Sequence, residues 1–287
     1  MLRDNLNRIK REPSLLLIEL AWRWLFGAVT IAMLAFAAVQ LRRALVVSPD
    51  EQARLASMAP DVMVDALAVI TARVFPLLAR LAASIVPLLF LLWVATASVG
   101  RALVLSRLIG PRPSHPRWSA FVALHALRAL SVIGLAAAYV ACTSLASLVS
   151  SPENPNYLLG ALLFLILFAA SVAAWMWVHW VLSLGAIFPV SAQTGIIASV
   201  QSALQLVRGR RRELTRIASA NGTARTVVAV VFTFAGLLPL PLYVVSPRVL
   251  TFVEIVIALS YCVASDFLLL GRLAAYVEVA TSRVESP

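Results

Sequence analysis

Seven ionisable residues lie inside long apolar stretches of the sequence, and any chemistry would begin with them. Three are the carboxylates Asp266, Glu254 and Glu19, and the others are Arg23, His125, Arg128 and His179. A charged group among apolar side chains is costly unless it pairs with another group or serves a function. These residues are therefore the candidates for buried ion pairs or for a proton or cation pathway.

Most of these residues also have a structural interpretation. Glu19 and Arg23 are four residues apart, so they can pair on one face of a helix. His125 and Arg128 stand near the start of an apolar stretch, where the long Arg128 side chain can reach back to lipid headgroups. His179 lies in a segment with three tryptophans, residues 175–180. A lone histidine there is typical of an interfacial aromatic belt, because a metal site needs several ligands.

Asp266 is the acidic residue most suited to a functional role. It can pair with Arg23, Arg101 or Arg272, or it can take part in proton or cation movement. Glu254 lies three helical turns away, near the opposite end of the same apolar stretch, where headgroup contact is expected. Arg101 and Arg272 stand at the ends of apolar stretches, where their side chains can reach lipid headgroups and this contact is enough to compensate their charge.

The sequence contains no catalytic motif. A GxxxxGK phosphate loop, an HExxH or CxxC metal motif and a GxSxG nucleophile elbow are all missing. We therefore expect no metal, no cofactor and no enzymatic activity. An intramembrane lipid-handling enzyme is the weakest hypothesis, and it needs a cavity that joins at least two of Glu19, Asp266 and His179.

The elements that position these residues are long apolar helices. The chain has 287 residues, 61% of them hydrophobic and 13% charged, whereas soluble proteins carry roughly 25% charged residues. A membrane-spanning helix needs about 20 apolar residues. We predict an all-α polytopic helix bundle in one integral membrane domain, residues 1–287, with six spans at 15–39, 81–104, 121–149, 157–188, 227–245 and 249–270.

Two further segments are predicted to be amphipathic helices, at 60–75 and 192–218. In the second, apolar residues recur at helical spacing beside a basic face, and Asn221 with Gly222 is expected to end the helix. We expect the basic residues to contact anionic lipid headgroups. This arginine elbow consists of Arg208, Arg210, Arg211, Arg212 and Arg216.

The distribution of basic residues predicts the orientation. The net charge is +11, and most basic residues fall in the N-terminal arm, the 101–117 loop and the 192–225 segment. This clustering is typical of cytoplasmic loops and of contact with the lipid bilayer, not with nucleic acid. Both termini are therefore placed in the cytoplasm, and the arginine-rich composition suggests a bacterial inner membrane. The five arginines of the 42–80 connection conflict with this topology, and if residues 60–75 span, there are seven helices.

The segment around the arginine elbow also resembles a known family. Pro189, Ser202 and the sequence Leu-Val-Arg-Gly-Arg at residues 206–210 are similar to the multi-pass membrane domain attached to some bacterial glycerophosphodiester phosphodiesterases, and to related membrane families of unknown function. The resemblance covers about 40 residues. It implies a multi-pass bundle with a basic cytoplasmic elbow, and it does not imply hydrolysis, because the catalytic domain of those enzymes is a separate soluble domain.

These observations leave two main hypotheses for the function. The first is a non-enzymatic membrane scaffold or accessory subunit, with other membrane subunits as partners. The second is a small transporter or permease component, linked to protons or cations through Asp266 and Glu254. Four prolines, Pro76, Pro87, Pro239 and Pro241, permit the broken helices of a transporter without showing them.

Overall fold

The computed structural model describes residues 2–57, 59–110, 117–149, 156–239 and 246–282. This part of the chain is 92% helical and has no strand, which confirms the predicted all-α fold class. The helices are α1 (Leu2–Arg11), α2 (Pro13–Ala44), α3 (Pro49–Ala56), α4 (Pro60–Ile109), α5 (Trp118–Leu148), α6 (Tyr157–Gly185), α7 (Phe188–Ser191), α8 (Ile196–Gly209), α9 (Arg211–Leu237) and α10 (Pro247–Thr281).

Six helices of the described chain are long and apolar enough to cross a membrane. They are α2, α4, α5, α6 together with α7, α9 and α10, and their most apolar stretches are at most 11% buried. Large apolar side chains such as Leu165 and Phe252 are 59% and 67% exposed. Such surfaces suit hydrocarbon and not water. The chain is therefore a polytopic membrane protein, as predicted.

The helices extend beyond most of the predicted bounds. The segments predicted at 60–75 and 81–104 form the single helix α4, which continues through Pro76 and Pro87. A proline inside a helix removes one backbone hydrogen bond and bends the helix, and the surrounding apolar residues keep it helical. Three predicted features, the proline loop at 111–116, the turn at 151–155 and the end of the fifth span at 240–245, lie outside the described residues.

The arginine elbow is divided between two helices, whereas the sequence predicts a single helix over 192–218. Helix α8 ends at Gly209, Arg210 leaves the helical conformation with φ −126° and ψ 34°, and α9 begins at Arg211. Helix α9 then continues through Asn221 and Gly222, so the prediction that these residues end the helix is wrong. A glycine ends a helix by taking a positive φ, and among the described glycines only Gly110 does so.

The chain divides into two compact units, Met1–Trp22 with Ala97–Pro287 and Arg23–Thr96. In the first unit, the buried apolar core lies at one end, which we name the cap end. There α4, α6 and α10 end, α5 and α9 begin, and α1, α7 and α8 pack around them. The core of the cap end includes Leu15, Leu105, Phe121, Leu184, Leu206, Leu214 and Leu270.

Helix α1 packs against the last turns of α10. Asn5 Nδ2 donates a hydrogen bond to Glu278 Oε2 over 2.8 Å, and Arg8 donates to the carbonyl of Leu108 at 3.1 Å. Gly271 allows this packing because a Cβ there would lie 2.5 Å from Leu6 Cδ2. The N-terminal segment is therefore an integral part of the cap end.

Beyond the cap end, helices of the first unit pack in pairs, α5 with α6 and α9 with α10. Tyr139 of α5 contacts Phe164 and Phe168 of α6 edge-on, with ring centroids 5.7 and 5.5 Å apart. Phe232 of α9 contacts Tyr261 of α10 at 5.8 Å. Offset and edge-on contacts of this kind stabilise helix pairs where both helices are surrounded by apolar material.

In the second unit, a capping box begins α3. Glu51 N donates to Ser48 Oγ at 3.2 Å, and Ser48 N donates to Glu51 Oε2 at 2.8 Å. Arg73 of α4 forms an ion pair with Glu51 and donates to the carbonyl of Val46 at 2.8 Å. These contacts connect the short helix α3 to α4.

Candidate functional site at the cap end

Glu19 of α2 is completely buried and is held by two donors. Its Oε1 lies 3.0 Å from Nη2 of Arg101 in α4, whose side chain is 11% exposed. Its Oε2 accepts a hydrogen bond from Trp22 Nε1 at 3.0 Å. The Arg101 guanidinium also lies 5.9 Å from the centroid of the Trp22 ring. A buried carboxylate requires such compensation, and this one receives it from a residue 82 positions later in the sequence.

Helix α4 has a glycine where it meets Trp22. A Cβ on Gly100 would overlap the Trp22 ring, so only glycine leaves room for the ring at this position. The indole thus contacts α4 at Gly100 and, through Nε1, the Glu19 carboxylate of its own helix. Trp22 lies nine residues after the first residue of α2, Pro13, and 22 residues before its last, Ala44, so this contact lies in the first part of the helix.

Arg128 of α5 is bound by His179 of α6. Arg128 Nε and Nη2 lie 3.0 and 2.7 Å from His179 Nε2. Because arginine can only donate, Nε2 accepts and the imidazole carries its proton on Nδ1. That Nδ1 is buried without a hydrogen-bond partner in the described residues, and the Trp175 ring lies 5.2 Å from the imidazole. The imidazole is thus an acceptor for a guanidinium.

A small cavity of about 30 Å³ lies among α4, α5, α6 and α10 at the cap end. It has room for about two water molecules. Its polar lining consists of Arg101, His125, Arg128, Ser183, Arg272 and Tyr276, and its apolar lining of Leu105, Ala186, Leu269 and Leu273. No carboxylate is among the described residues that line it. This small cavity is therefore lined by three arginines from three helices.

Two neutral polar groups of the cavity, Tyr276 and His125, are held by hydrogen bonds. Tyr276 is 3% exposed, and its hydroxyl accepts a hydrogen bond from Trp180 Nε1 at 3.1 Å. The Arg272 guanidinium lies 5.9 Å from the Tyr276 ring centroid. His125 Nδ1 donates to the carbonyl of Phe121 at 2.9 Å, since a carbonyl can only accept. Tyr276 is therefore held by the neighbouring helix α6, and His125 by its own helix α5.

The arginine elbow lies at the same end of the first unit. Leu206 and Leu214 are buried in the core, while four arginines are exposed: Arg208, Arg211, Arg212 and Arg216. Arg210 differs from them. Its Nη1 donates to Ser282 Oγ at 2.6 Å and to the Val279 carbonyl at 3.3 Å, and it pairs with Glu213 at 3.6 Å. Arg210 thus fastens the elbow to the end of α10.

The structure does not bring all predicted residues together. Asp266 is 6% exposed, whereas Glu254 is exposed on the same helix, three turns away. Arg23 belongs to the second unit, and its predicted pairing with Glu19 stays a prediction. Arg128, which the sequence predicts to reach lipid headgroups, donates to His179 of α6, and its contact with headgroups stays a prediction.

Sequence reasoning missed two members of the site. Nothing in the sequence indicated that Trp22 donates to Glu19, although their spacing of three residues permits it. Tyr276 was missed because it follows the predicted last span, which ended at residue 270. The structure extends α10 to Thr281, and this brings Tyr276 to the cavity.

Comparisons with known proteins add no relative. No protein family, no curated protein and no solved structure matches the chain. The resemblance of the elbow segment to a phosphodiesterase membrane domain therefore stays a prediction, and the functional argument depends on the cap end itself.

Proposed function

We propose that the protein is a non-enzymatic membrane scaffold or accessory subunit that docks on anionic lipid headgroups through its arginine elbow. The observation that carries this proposal is that the elbow has one buried apolar side and one exposed basic side. One side, with Leu206 and Leu214, is buried in the core, and the other presents Arg208, Arg211, Arg212 and Arg216 to the surroundings. A rigidly mounted arginine near a membrane surface gains about 1 kcal/mol from anionic lipids.

The buried charges of the cap end support a structural role. Glu19 is held by Arg101 and Trp22, and Arg128 is held by His179. The cavity is lined by none of Glu19, Asp266 and His179 in the described residues. The hypothesis of an intramembrane enzyme, which required a cavity joining two of these residues, therefore gains no support.

The lipid contact can be tested in nanodiscs. The triple change Arg208→Gln, Arg211→Gln and Arg212→Gln removes three exposed charges, whereas the same three changes to lysine keep them. The wild-type protein is expected to unfold at a higher temperature in nanodiscs containing phosphatidylglycerol than in purely zwitterionic ones. The glutamine variant should lose most of this difference and the lysine variant should keep it. An unchanged difference in the glutamine variant would overturn the lipid contact.

The subunit role has its own test. Native mass spectrometry of the protein, gently solubilised from its own host, is expected to show a reproducible protein adduct. A lone chain that carries a small molecule would instead favour transport or lipid handling.

A second candidate function, proton- or cation-linked transport, is favoured by the burial of Asp266. In proteoliposomes with an internal pH dye, Asp266→Asn would abolish a proton flux that the wild type supports. If neither protein moves protons or monovalent cations, the transport hypothesis loses its main residue.

A further inference from the structure

A groove of about 520 Å³ runs along the side of α10 that faces away from α9. Tyr261 of α10 packs against Phe232 of α9. One turn further on, Ser265 accepts a hydrogen bond from Arg225 of α9 at 3.4 Å. Val263, which lines the groove, is two residues from both Tyr261 and Ser265, and a step of two residues turns a helix by about 200°. The groove therefore lies on a face of α10 that α9 leaves open.

The lining of the groove is almost entirely apolar. Its α10 side runs from Val256 to Phe267 at helical spacing and includes one polar residue, Ser260, and Leu16 of α2 lines it as well. Leu16 and Phe267 pack against the core of the cap end, whereas Val256 is 46% exposed. The groove thus begins at the core of the cap end and extends away from it along a helix that is long and apolar enough to cross a membrane.

The dimensions of the groove distinguish between apolar occupants. From Val256 to Phe267 the helix rises by about 16 Å, which is about half of a hydrocarbon core about 30 Å thick. A partner helix that crosses the membrane needs a complementary surface over the whole thickness, whereas an acyl chain extends through one leaflet only. A methylene group occupies about as much room as a water molecule, about 30 Å³, so a groove of about 520 Å³ accommodates a chain of the length found in membranes.

Basic side chains lie at the cap-end mouth of the groove. Leu6 packs on α10 at Gly271, and Leu16, ten residues later, reaches the groove. The exposed residues Lys10 and Arg11 lie between these two points of the chain. Cationic side chains near a membrane surface attract the phosphate of an anionic headgroup. An apolar groove that ends beside two cations is therefore complementary to a phospholipid.

We propose that the groove holds one acyl chain of a phospholipid from the leaflet at the cap end, with the lipid phosphate beside Lys10 and Arg11. The chain fills the space between α10 and the start of α2, where the lining side chains would otherwise lack partners for van der Waals contact. This site is separate from the arginine elbow, because it binds the hydrocarbon part of a lipid whereas the elbow contacts headgroups.

A photoreactive lipid tests the site on the wild-type protein. The full chain is placed in nanodiscs that contain phosphatidylglycerol with a diazirine in one acyl chain, and the labelled residues are mapped by mass spectrometry after irradiation. Val256 lines the groove and Ile255 does not, although the two lie at the same depth and are 46% and 52% exposed. Val256 is expected to be labelled well above Ile255. Equal labelling would overturn the proposal, because it would show lipid chains that pass over α10 without a preferred site.

Filling the groove should displace the lipid. Ala264→Phe places a ring in the groove, and Ala258→Phe makes the same change at an exposed alanine of α10 outside it. Phosphorus analysis of the purified chain after extensive washing in detergent is expected to find one retained phospholipid in the wild type and in Ala258→Phe, and none in Ala264→Phe. The double change Lys10→Gln with Arg11→Gln should lower the retained amount, whereas the glutamine variant of the arginine elbow should not.

Three results would overturn the proposal. The first is a wild type that retains no phospholipid, or a folded Ala264→Phe variant that retains as much as the wild type. The second is equal loss of lipid from Ala264→Phe and from the elbow variant, since attraction of headgroups would then account for the retention. The third is a lipid-free dimer, measured by light scattering, that Ala264→Phe converts to a monomer, because the groove would then hold a second copy of the chain. If Ala264→Phe fails to fold, the labelling of Val256 against Ile255 decides.

Discussion

Glu19 and Arg101 form an ion pair between two apolar helices, with 3.0 Å between Oε1 and Nη2 and with the glutamate side chain completely buried. Breaking such a pair leaves a buried charge without compensation, which typically costs about 3–5 kcal/mol. We expect Glu19→Gln to lower the free energy of unfolding by this amount, measured by denaturant titration in detergent.

A double-mutant cycle separates this pair from its surroundings. The combined change Glu19→Gln and Arg101→Met removes both charges, so it should cost less than the sum of the single changes. Additive costs would show that the two charges do not stabilise each other.

Gly100 gives a prediction about packing. A methyl group there would overlap the Trp22 ring, and overpacking of this kind costs about 1–3 kcal/mol. Gly100→Ala should therefore destabilise the protein, although alanine is intrinsically the better helix former by about 1 kcal/mol. Gly134 of α5 is the matched control, because a Cβ there meets nothing within 4 Å. Thermal unfolding should show Gly134→Ala to be neutral or stabilising, and equal effects of the two changes would contradict the close contact.

His179 is predicted to act as an acceptor for Arg128. His179→Leu removes this acceptor from a charged donor, for which a loss of about 1.5–3 kcal/mol is expected. His179→Gln retains a side-chain oxygen that can accept from Arg128, so it should cost clearly less. The two variants can be compared by denaturant unfolding in the same detergent. If they are equally unstable, packing and not the hydrogen bond accounts for the loss.

The contacts of Glu51 lead to a prediction about how the second unit responds to pH. The hydrogen bond from Arg73, assisted by the one from the backbone of Ser48, holds the pKa of the Glu51 carboxyl below its ordinary value of 4.5. A lowered folded-state pKa stabilises the fold fully above 4.5, and this contribution is lost as pH falls through the folded pKa. The hydrogen-exchange rate of α3, corrected for intrinsic rates, should therefore rise as the pH is lowered from about 6 to about 3. The Glu51→Gln variant should show a smaller change over that range, and an equal change would assign the pH response to other groups.

Much of the architecture follows from the sequence. Apolar runs of sufficient length predicted the six long helices, since a spanning helix must satisfy its own backbone hydrogen bonds. The bounds are less accurate because apolar composition marks only the part that would contact hydrocarbon. The ends of α10 and α6 are set instead by packing in the core of the cap end.

The site could be predicted only in part. The sequence identified Glu19, His179, Asp266 and Arg128 as unusual, but the partners of Arg128 and Glu19 lie 51 and 82 residues away. No helical periodicity relates positions so far apart, because their proximity depends on how the start of α2 packs on the end of α4 and how α5 packs on α6. The break at Arg210 was missed for a similar reason, since contacts with Val279 and Ser282 hold it there.

The hydrogen bond between Asn5 and Glu278 also constrains how the protein is assembled. Residues 2–11 emerge from the ribosome before their docking surface on α10, since Asn5 and Glu278 are 273 positions apart. Contacts of such long sequence separation form late, because the intervening chain must first be ordered. Helix α1 therefore cannot dock until the helices between it and α10 have been synthesised and α10 itself is in place.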